Sequence, residues 1–107
     1  MKLLELIRNL KSIKQANELI AKELPGVEYD LIDLYAINSL NVDSDIRFFN
    51  VEEIPNDLVI KVDGINYVNL FPLNLIQEMV EEYSNLREIF SDEEIAKRIL
   101  EYRLKDA

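Results

Sequence analysis

The carboxylates of this sequence are its most concentrated chemically active groups, and they gather in one segment. Residues 27–57, called here the acidic segment, hold eight acidic side chains and a single basic one, Arg47, which gives a net charge of −7. The acidic residues are Glu28, Asp30, Asp33, Asp43, Asp45, Glu52, Glu53 and Asp57. Grouped carboxylates can ligate a hard cation or attract a basic protein. We therefore expect the binding chemistry of the chain in this segment.

Part of the acidic segment has the spacing of a calcium-binding loop. Four oxygen-bearing side chains occupy ligand positions of an EF-hand pattern, namely Asn41, Asp43, Asp45 and Glu52. However, Ile46 stands where the pattern needs glycine for a sharp turn, and Pro55 interrupts the helix that should follow. The sequence therefore favours an acidic loop that leads into a strand, and a carboxylate-based, calcium-dependent protein is the alternative.

The side chains that most often perform catalysis are absent from the sequence. It contains no histidine and no cysteine, and therefore no imidazole base, no thiol nucleophile, no disulfide and no thiolate metal site. The neighbouring carboxylates Glu81 and Glu82 are expected on the solvated face of a helix. We therefore predict that the protein is not an enzyme and that it binds no cofactor or metal ion.

The charge of the whole chain narrows the choice of partner. The 107 residues carry a formal net charge of −9, and a field of that sign repels nucleic-acid phosphates and attracts basic surfaces. Glu5 and Arg8 interrupt the apolar N-terminus, and no stretch approaches the ~20 apolar residues of a membrane-spanning helix. We therefore expect a cytoplasmic protein that binds neither membranes nor, directly, nucleic acids.

Tyrosines stand beside the carboxylates, as they often do at protein interfaces, where the ring buries area and the charge selects the partner. We predict that the chain binds a basic protein, with Tyr29 and Tyr35 as buried anchors. The predicted contact residues are Tyr29, Asp30, Asp33, Tyr35, Asp43, Asp45, Glu52 and Glu53. In size, acidity and lack of catalytic groups, the chain resembles bacterial immunity proteins, antitoxins and phage-encoded inhibitors. That resemblance of type implies an inhibitor that neutralises its basic partner.

The N-terminal residues predict a helix before the acidic segment. Apolar side chains at alternating spacings of three and four indicate one helix over 2–24, ended by Pro25-Gly26. The stripe consists of Leu3, Leu6, Leu10, Ile13, Ile20 and Leu24, with Asn17 among them. The same residues form a heptad seam, in which a polar Asn17 would fix the register of paired helices. A homodimeric scaffold is therefore an alternative, although the missing flanking charges favour packing in the chain's own core, and both monomer and homodimer stay open.

The acidic segment itself predicts two strands. Residues 27–36 alternate like a half-buried strand, although a short helix over part of this stretch is an alternative. Residues 45–51 also alternate, and Pro55-Asn56-Asp57 predicts a turn after them. These strands would place the carboxylates on a sheet and in the loops around it.

The strongest local pattern is a hairpin over 58–71. Asp63-Gly64 supplies the two residues at positive φ that a type I′ turn requires. Pairing outward from the turn places Val62 opposite Ile65, Ile60 opposite Tyr67, and Val59 opposite Val68. Because both faces of the hairpin are largely apolar, we expect both faces to be covered, by helices or by a partner.

Two helices are predicted after the hairpin. Pro72 suits a first helical turn, so the pattern changes from strand to helix there. Ser91 and Glu94 form a capping box that begins a final helix running to about Lys105. We therefore predict one α+β domain over 1–107, with an N-terminal helix, a mostly antiparallel sheet of three or four strands and two C-terminal helices.

Overall fold

The computed structural model describes residues 1–85 and 90–106, and it confirms the predicted α+β class. The α-helices are α1 (Leu3–Leu10), α2 (Ile13–Glu23), α3 (Leu73–Asn85) and α4 (Asp92–Asp106). The strands are β1 (Ile32–Ile37), β2 (Ile46–Asn50), β3 (Val59–Val62) and β4 (Ile65–Pro72). They form one antiparallel sheet in the order β2-β1-β4-β3.

The N-terminal helical region is divided in two, so the prediction of one helix over 2–24 is wrong. The backbone of Ser12 is extended (φ −125°, ψ 127°), and its hydroxyl accepts a hydrogen bond from the backbone N–H of Gln15 at 3.4 Å. Ser12 thus caps α2 and ends the helical path of α1. As a result Leu10 is fully buried, whereas Ile13 is 67% exposed. The heptad seam is not continuous, and its α1 half already lies in the chain's own core.

The predicted hairpin is confirmed, including its register. Asp63 (φ 51°) and Gly64 (φ 81°) both take the left-handed conformation at the turn. The pairs Val62 with Ile65, Ile60 with Tyr67, and Val59 with Val68 form as predicted. The strand pairing of this region therefore follows from the chemistry of its turn.

Strand β1 is shorter than predicted, because residues 29–31 form a 3₁₀ turn closed by a hydrogen bond from Leu31 N–H to the carbonyl oxygen of Glu28 (2.9 Å). A bulge then interrupts its pairing with β4: Leu34 pairs with Phe71, but Tyr35 pairs with Asn69. Leu70 is the extra residue of the bulge, so Leu70 and Phe71 both join the core on the same side of the sheet.

The two faces of the sheet are covered differently. The four α-helices pack on one face and bury the main hydrophobic core against it. The other face carries a small cluster of Tyr35, Phe49, Ile60 and Tyr67, against which Ile54 packs from the loop after β2. The rings of Tyr35 and Phe49 meet edge-to-face at 5.3 Å. The loop after β2 borders this second face, whereas Val27, Tyr29, Leu40 and Val42 of the acidic segment pack against the helical side.

The hairpin is only partly covered. Val59 and Ile65 are 55% and 41% exposed, so the expected cover on both faces does not reach the β3 edge of the sheet.

Within the described ranges, no helix is both long enough and apolar enough to cross a bilayer.

Helix α4 begins at the predicted cap and is tied to α1 by charge. The hydroxyl of Ser91 accepts a hydrogen bond from Glu94 N–H at 3.1 Å, which confirms the cap. The carboxylate of Asp92, in the first turn of α4, forms ion pairs with Lys11 and, at 3.5 Å, with Arg8. The hydrogen bond from Lys11 is the main reason why the pKa of Asp92 is lowered.

The ion pairs of Asp92 predict a pH-dependent part of the stability. A carboxyl with a lowered pKa in the folded state stabilises the fold above its unfolded pKa and loses that contribution as the pH falls through its folded pKa. Asp92→Asn should therefore lower the free energy of unfolding by about 0.5–1 kcal/mol at pH 7, because both partners stay partly in water. Urea titrations from pH 7 down to pH 3 should show this difference shrinking. A difference that does not change with pH would mean that the ion pairs contribute nothing.

Candidate functional site

The strands divide the acidic segment into two groups of carboxylates. Because β1 and β2 are antiparallel and Ile32 pairs with Asn50, the residues before β1 lie near those after β2. This brings four of the predicted contact residues to one end of the sheet, which we call the acidic end: Asp30, Asp33, Glu52 and Glu53. Asp43 and Asp45 lie in the β1–β2 loop, at the opposite end of these strands. The predicted contact surface is therefore two separate regions.

The β1–β2 loop is held by its own hydrogen bonds. The side chain of Asn41 accepts a hydrogen bond from Asp43 N–H (2.9 Å), and the hydroxyl of the buried Ser44 accepts one from Asn41 N–H (2.8 Å). The ammonium of Lys2 lies 3.2 Å from the carboxylate of Asp45 and donates to the carbonyl oxygen of Asp43. The charge of Asp45 is thus partly neutralised within the chain, which makes this end less attractive to a basic partner.

The residues of the EF-hand pattern are not brought together. The extended strand β2 stands between Asp45 and Glu52 and separates them by roughly 15–20 Å. Asn41 uses its side-chain oxygen within the loop, as described above. Across residues 1–85 and 90–106, no group of three or more carboxylates is placed to hold a metal ion.

The two predicted tyrosine anchors have different positions. Tyr35 is only 2% exposed, and its hydroxyl donates a hydrogen bond to the carbonyl oxygen of Asp57 at 3.2 Å. It therefore belongs to the core of the second sheet face and presents almost no surface to a partner. Tyr29 is half-buried, and its pKa is raised by burial and by the negative charge of Glu81. Of the two, only Tyr29 presents part of its ring at the surface.

A cavity of about 320 Å³ opens at the acidic end, beside Asp33. Its lining consists of Asp33, Tyr35, Val51, Ile54, Pro55 and Asn56. The walls form because Asn50 caps a 3₁₀ turn at Val51–Glu53, accepting a hydrogen bond from Glu52 N–H at 3.0 Å. The turn carries Val51 and Ile54 onto the second face of the sheet. Sequence reasoning missed this cavity, although Asn50 two residues before Glu52 is a local signal for such a turn.

The carboxylates of the acidic end lack ion pairs to any other described residue. Arg47, the single basic residue of the acidic segment, is engaged elsewhere. Its guanidinium lies 4.6 Å from the centre of the Phe49 ring and donates a hydrogen bond to the hydroxyl of Tyr67 at 2.9 Å. Burial raises the pKa of the half-buried Asp33 carboxyl. Asp30 accepts a hydrogen bond from the side-chain amide of Asn74 at 2.6 Å. Among the described residues, no positive charge is paired with the carboxylates of the acidic end, and a partly apolar cavity opens beside Asp33.

A second concavity, of about 410 Å³, lies between α2 and α3 and includes the exposed edge of Tyr29. The amide nitrogen of Gln77 donates there to the carbonyl oxygen of Leu10 (2.8 Å) and to the carboxylate of Glu81 (3.1 Å). Its amide oxygen is buried without a hydrogen-bond partner among the described residues. This groove does not contain the predicted aspartates.

Comparisons with protein-family models, with curated proteins and with solved structures find no match. The chemistry of the site therefore carries the functional argument. Two features of it matter most: the carboxylates of the acidic end, which form no ion pair with another described residue, and the cavity that opens beside Asp33.

Proposed function

We propose that this chain is a non-enzymatic, cytoplasmic inhibitor of the immunity or antitoxin type, which binds and neutralises a basic protein. The observation that carries the proposal is the acidic end: Asp30, Asp33, Glu52 and Glu53 share one end of the sheet, and none forms an ion pair with another described residue. Unpaired carboxylates of this kind leave their field directed at the solvent, where it acts on an approaching partner.

The acidic end supplies the two properties that such binding needs, namely exposed negative charge and apolar area that a partner can bury. Glu52 and Glu53 are exposed, so their charge steers a basic surface toward the site and is screened by salt. The neighbouring cavity offers apolar area that a partner can bury after the encounter. The β1–β2 loop contributes less, because Lys2 partly neutralises Asp45.

Association kinetics test the proposal. A partner is first captured from a lysate of the source organism on the immobilised protein and identified by mass spectrometry. The double variant Glu52→Lys/Glu53→Lys should then associate with it about tenfold more slowly than the native protein at low salt, and the difference should shrink as salt is added. Both side chains are exposed, so the fold should persist.

A matched control separates local from overall charge. Glu18→Lys/Glu23→Lys reverses two exposed carboxylates of α2 and changes the net charge by the same amount. It should slow association much less than the variant at the acidic end. Equal slowing by both variants, or no slowing by either, would show that the acidic end is not the binding face.

A further inference from the structure

The cavity beside Asp33 has the size and lining of a site for one side chain. Its volume of about 320 Å³ is near the lower end of the roughly 300–1,000 Å³ that small-molecule sites span. Val51, Ile54 and Pro55 provide apolar walls, and Tyr35 also contributes to the lining. Asp33 is the single charged residue of that lining. A ligand that fits must therefore have a short apolar body and a group that suits one carboxylate.

The polar groups around the cavity favour a cation over other ligands. The hydroxyl of Tyr35 is already engaged with the carbonyl oxygen of Asp57. Asp33 is half-buried, so its charge loses hydration that no basic residue of the described chain replaces. Glu52 and Glu53 adjoin Val51 and Ile54 of the walls and add negative potential. A cation that reached Asp33 would offset this desolvation and be held by a charge-assisted hydrogen bond.

We infer that this cavity is the socket for one basic side chain of the partner, a lysine or arginine whose aliphatic stem lies between Val51, Ile54 and Pro55 and whose cationic head meets the carboxylate of Asp33. The inference rests on the proposed function and names the chemistry that the same site recognises. Long basic side chains commonly bury their methylene groups against apolar surface while the charged head is paired.

The walls of the socket are fixed before any partner arrives. The Asn50 cap holds the turn that carries Val51, and the hydrogen bond from Tyr35 ties the sheet to the loop at Asp57. A preformed site loses less conformational entropy when it binds than one that must order. The isolated side-chain analogue should therefore bind in the same place without the rest of the partner.

Small cations test the socket directly by ¹H–¹⁵N NMR titration of the full chain at constant ionic strength. We expect n-butylammonium and n-propylguanidinium, analogues of the lysine and arginine side chains, to shift the amide signals of residues 33–35 and 51–56 in a saturable way. The relative affinities of the two cations show which head group the socket prefers. The neutral analogue n-butanol should not saturate these shifts. Equal binding of n-butanol, or shifts spread evenly over all carboxylate-bearing loops, would overturn the inference.

A pair of isosteric variants completes the test. Asp33→Asn should weaken binding of the cations about tenfold, while Asp43→Asn, in the β1–β2 loop, should leave it unchanged. Since Asp33 is a desolvated carboxylate, its neutralisation should not destabilise the fold, and the dispersion of the same spectra verifies this. An unchanged affinity in Asp33→Asn would refute the socket, while the kinetics of the Glu52→Lys/Glu53→Lys variant would still decide the proposed function separately.

Discussion

Replacing Tyr35 with alanine should lower the free energy of unfolding by about 3–5 kcal/mol, the range seen when large aromatic side chains are removed from cores. The ring is almost fully buried and packs edge-to-face on Phe49, which in turn contacts Tyr67 at 5.1 Å. Its truncation removes the centre of the second sheet face and the hydrogen bond to Asp57. Because a small domain is stable by only about 5–15 kcal/mol, much of that stability should be lost.

Tyr35→Phe is the matched control for this prediction, because it keeps the ring and removes only the hydroxyl. It should cost about 1 kcal/mol, the net value of one hydrogen bond. Urea unfolding followed by circular dichroism measures both variants. A cost below 1 kcal/mol for Tyr35→Ala would contradict the buried position of the ring and would return Tyr35 to the candidate partner contacts. If Tyr35→Ala has the expected cost, Asp33 and Glu53 are the better positions for probing the proposed interface.

The parts of the fold that were predictable from the sequence are those set by nearby residues. Asp63-Gly64 requires positive φ at both positions, and this alone fixes the type of turn and the register of the hairpin. Ser91 and Glu94 define the start of α4 within a single turn. In each case the determining contact spans three residues or fewer along the chain.

The break between α1 and α2 was missed although a local signal exists. Ser12 followed three residues later by Gln15 is itself a capping-box pattern. The uninterrupted apolar stripe masked it, because Leu10 and Ile13 have the spacing of one continuous face. The periodicity shows which residues are apolar, but it does not show whether they belong to one helix or to two helices with different directions.

The residue types of the candidate site were predictable from the sequence, but their positions in the fold were not. Tyr29 and Tyr35 stand in similar local sequence, yet Tyr35 is buried because Phe49, Ile60 and Tyr67 pack around it. A loop 22 residues away accepts the hydrogen bond of its hydroxyl. The cavity beside Asp33 likewise needs Val51 and Ile54, which reach it only through the pairing of β1 with β2. Such long-range contacts follow from topology, and a single sequence does not display them.

Replacing Leu6 with alanine should lower the free energy of unfolding by about 3 kcal/mol, within the range for leucine truncation in a core. Leu6 lies in the middle of α1 and is fully buried, like its neighbours Leu3 and Ile7. Helix α1 packs against α2, α3 and α4, and a closely packed interior of this kind relaxes only partly around the cavity that the truncation leaves.

Ile13→Ala is the control from the same apolar stripe, and it should change stability by less than about 0.5 kcal/mol because Ile13 is 67% exposed. The contrast between the two variants distinguishes packing of α1 in the chain's own core from a dimeric heptad seam.

In a homodimeric coiled coil, Leu6 and Ile13 would both face the partner helix, so both truncations would destabilise the protein and unfolding would depend on protein concentration. We expect urea unfolding at micromolar and at tenfold higher concentration to give the same midpoint for the native chain. A midpoint that rises with concentration, together with a large cost for Ile13→Ala, would establish the dimer seam in place of the packing of α1 in its own core.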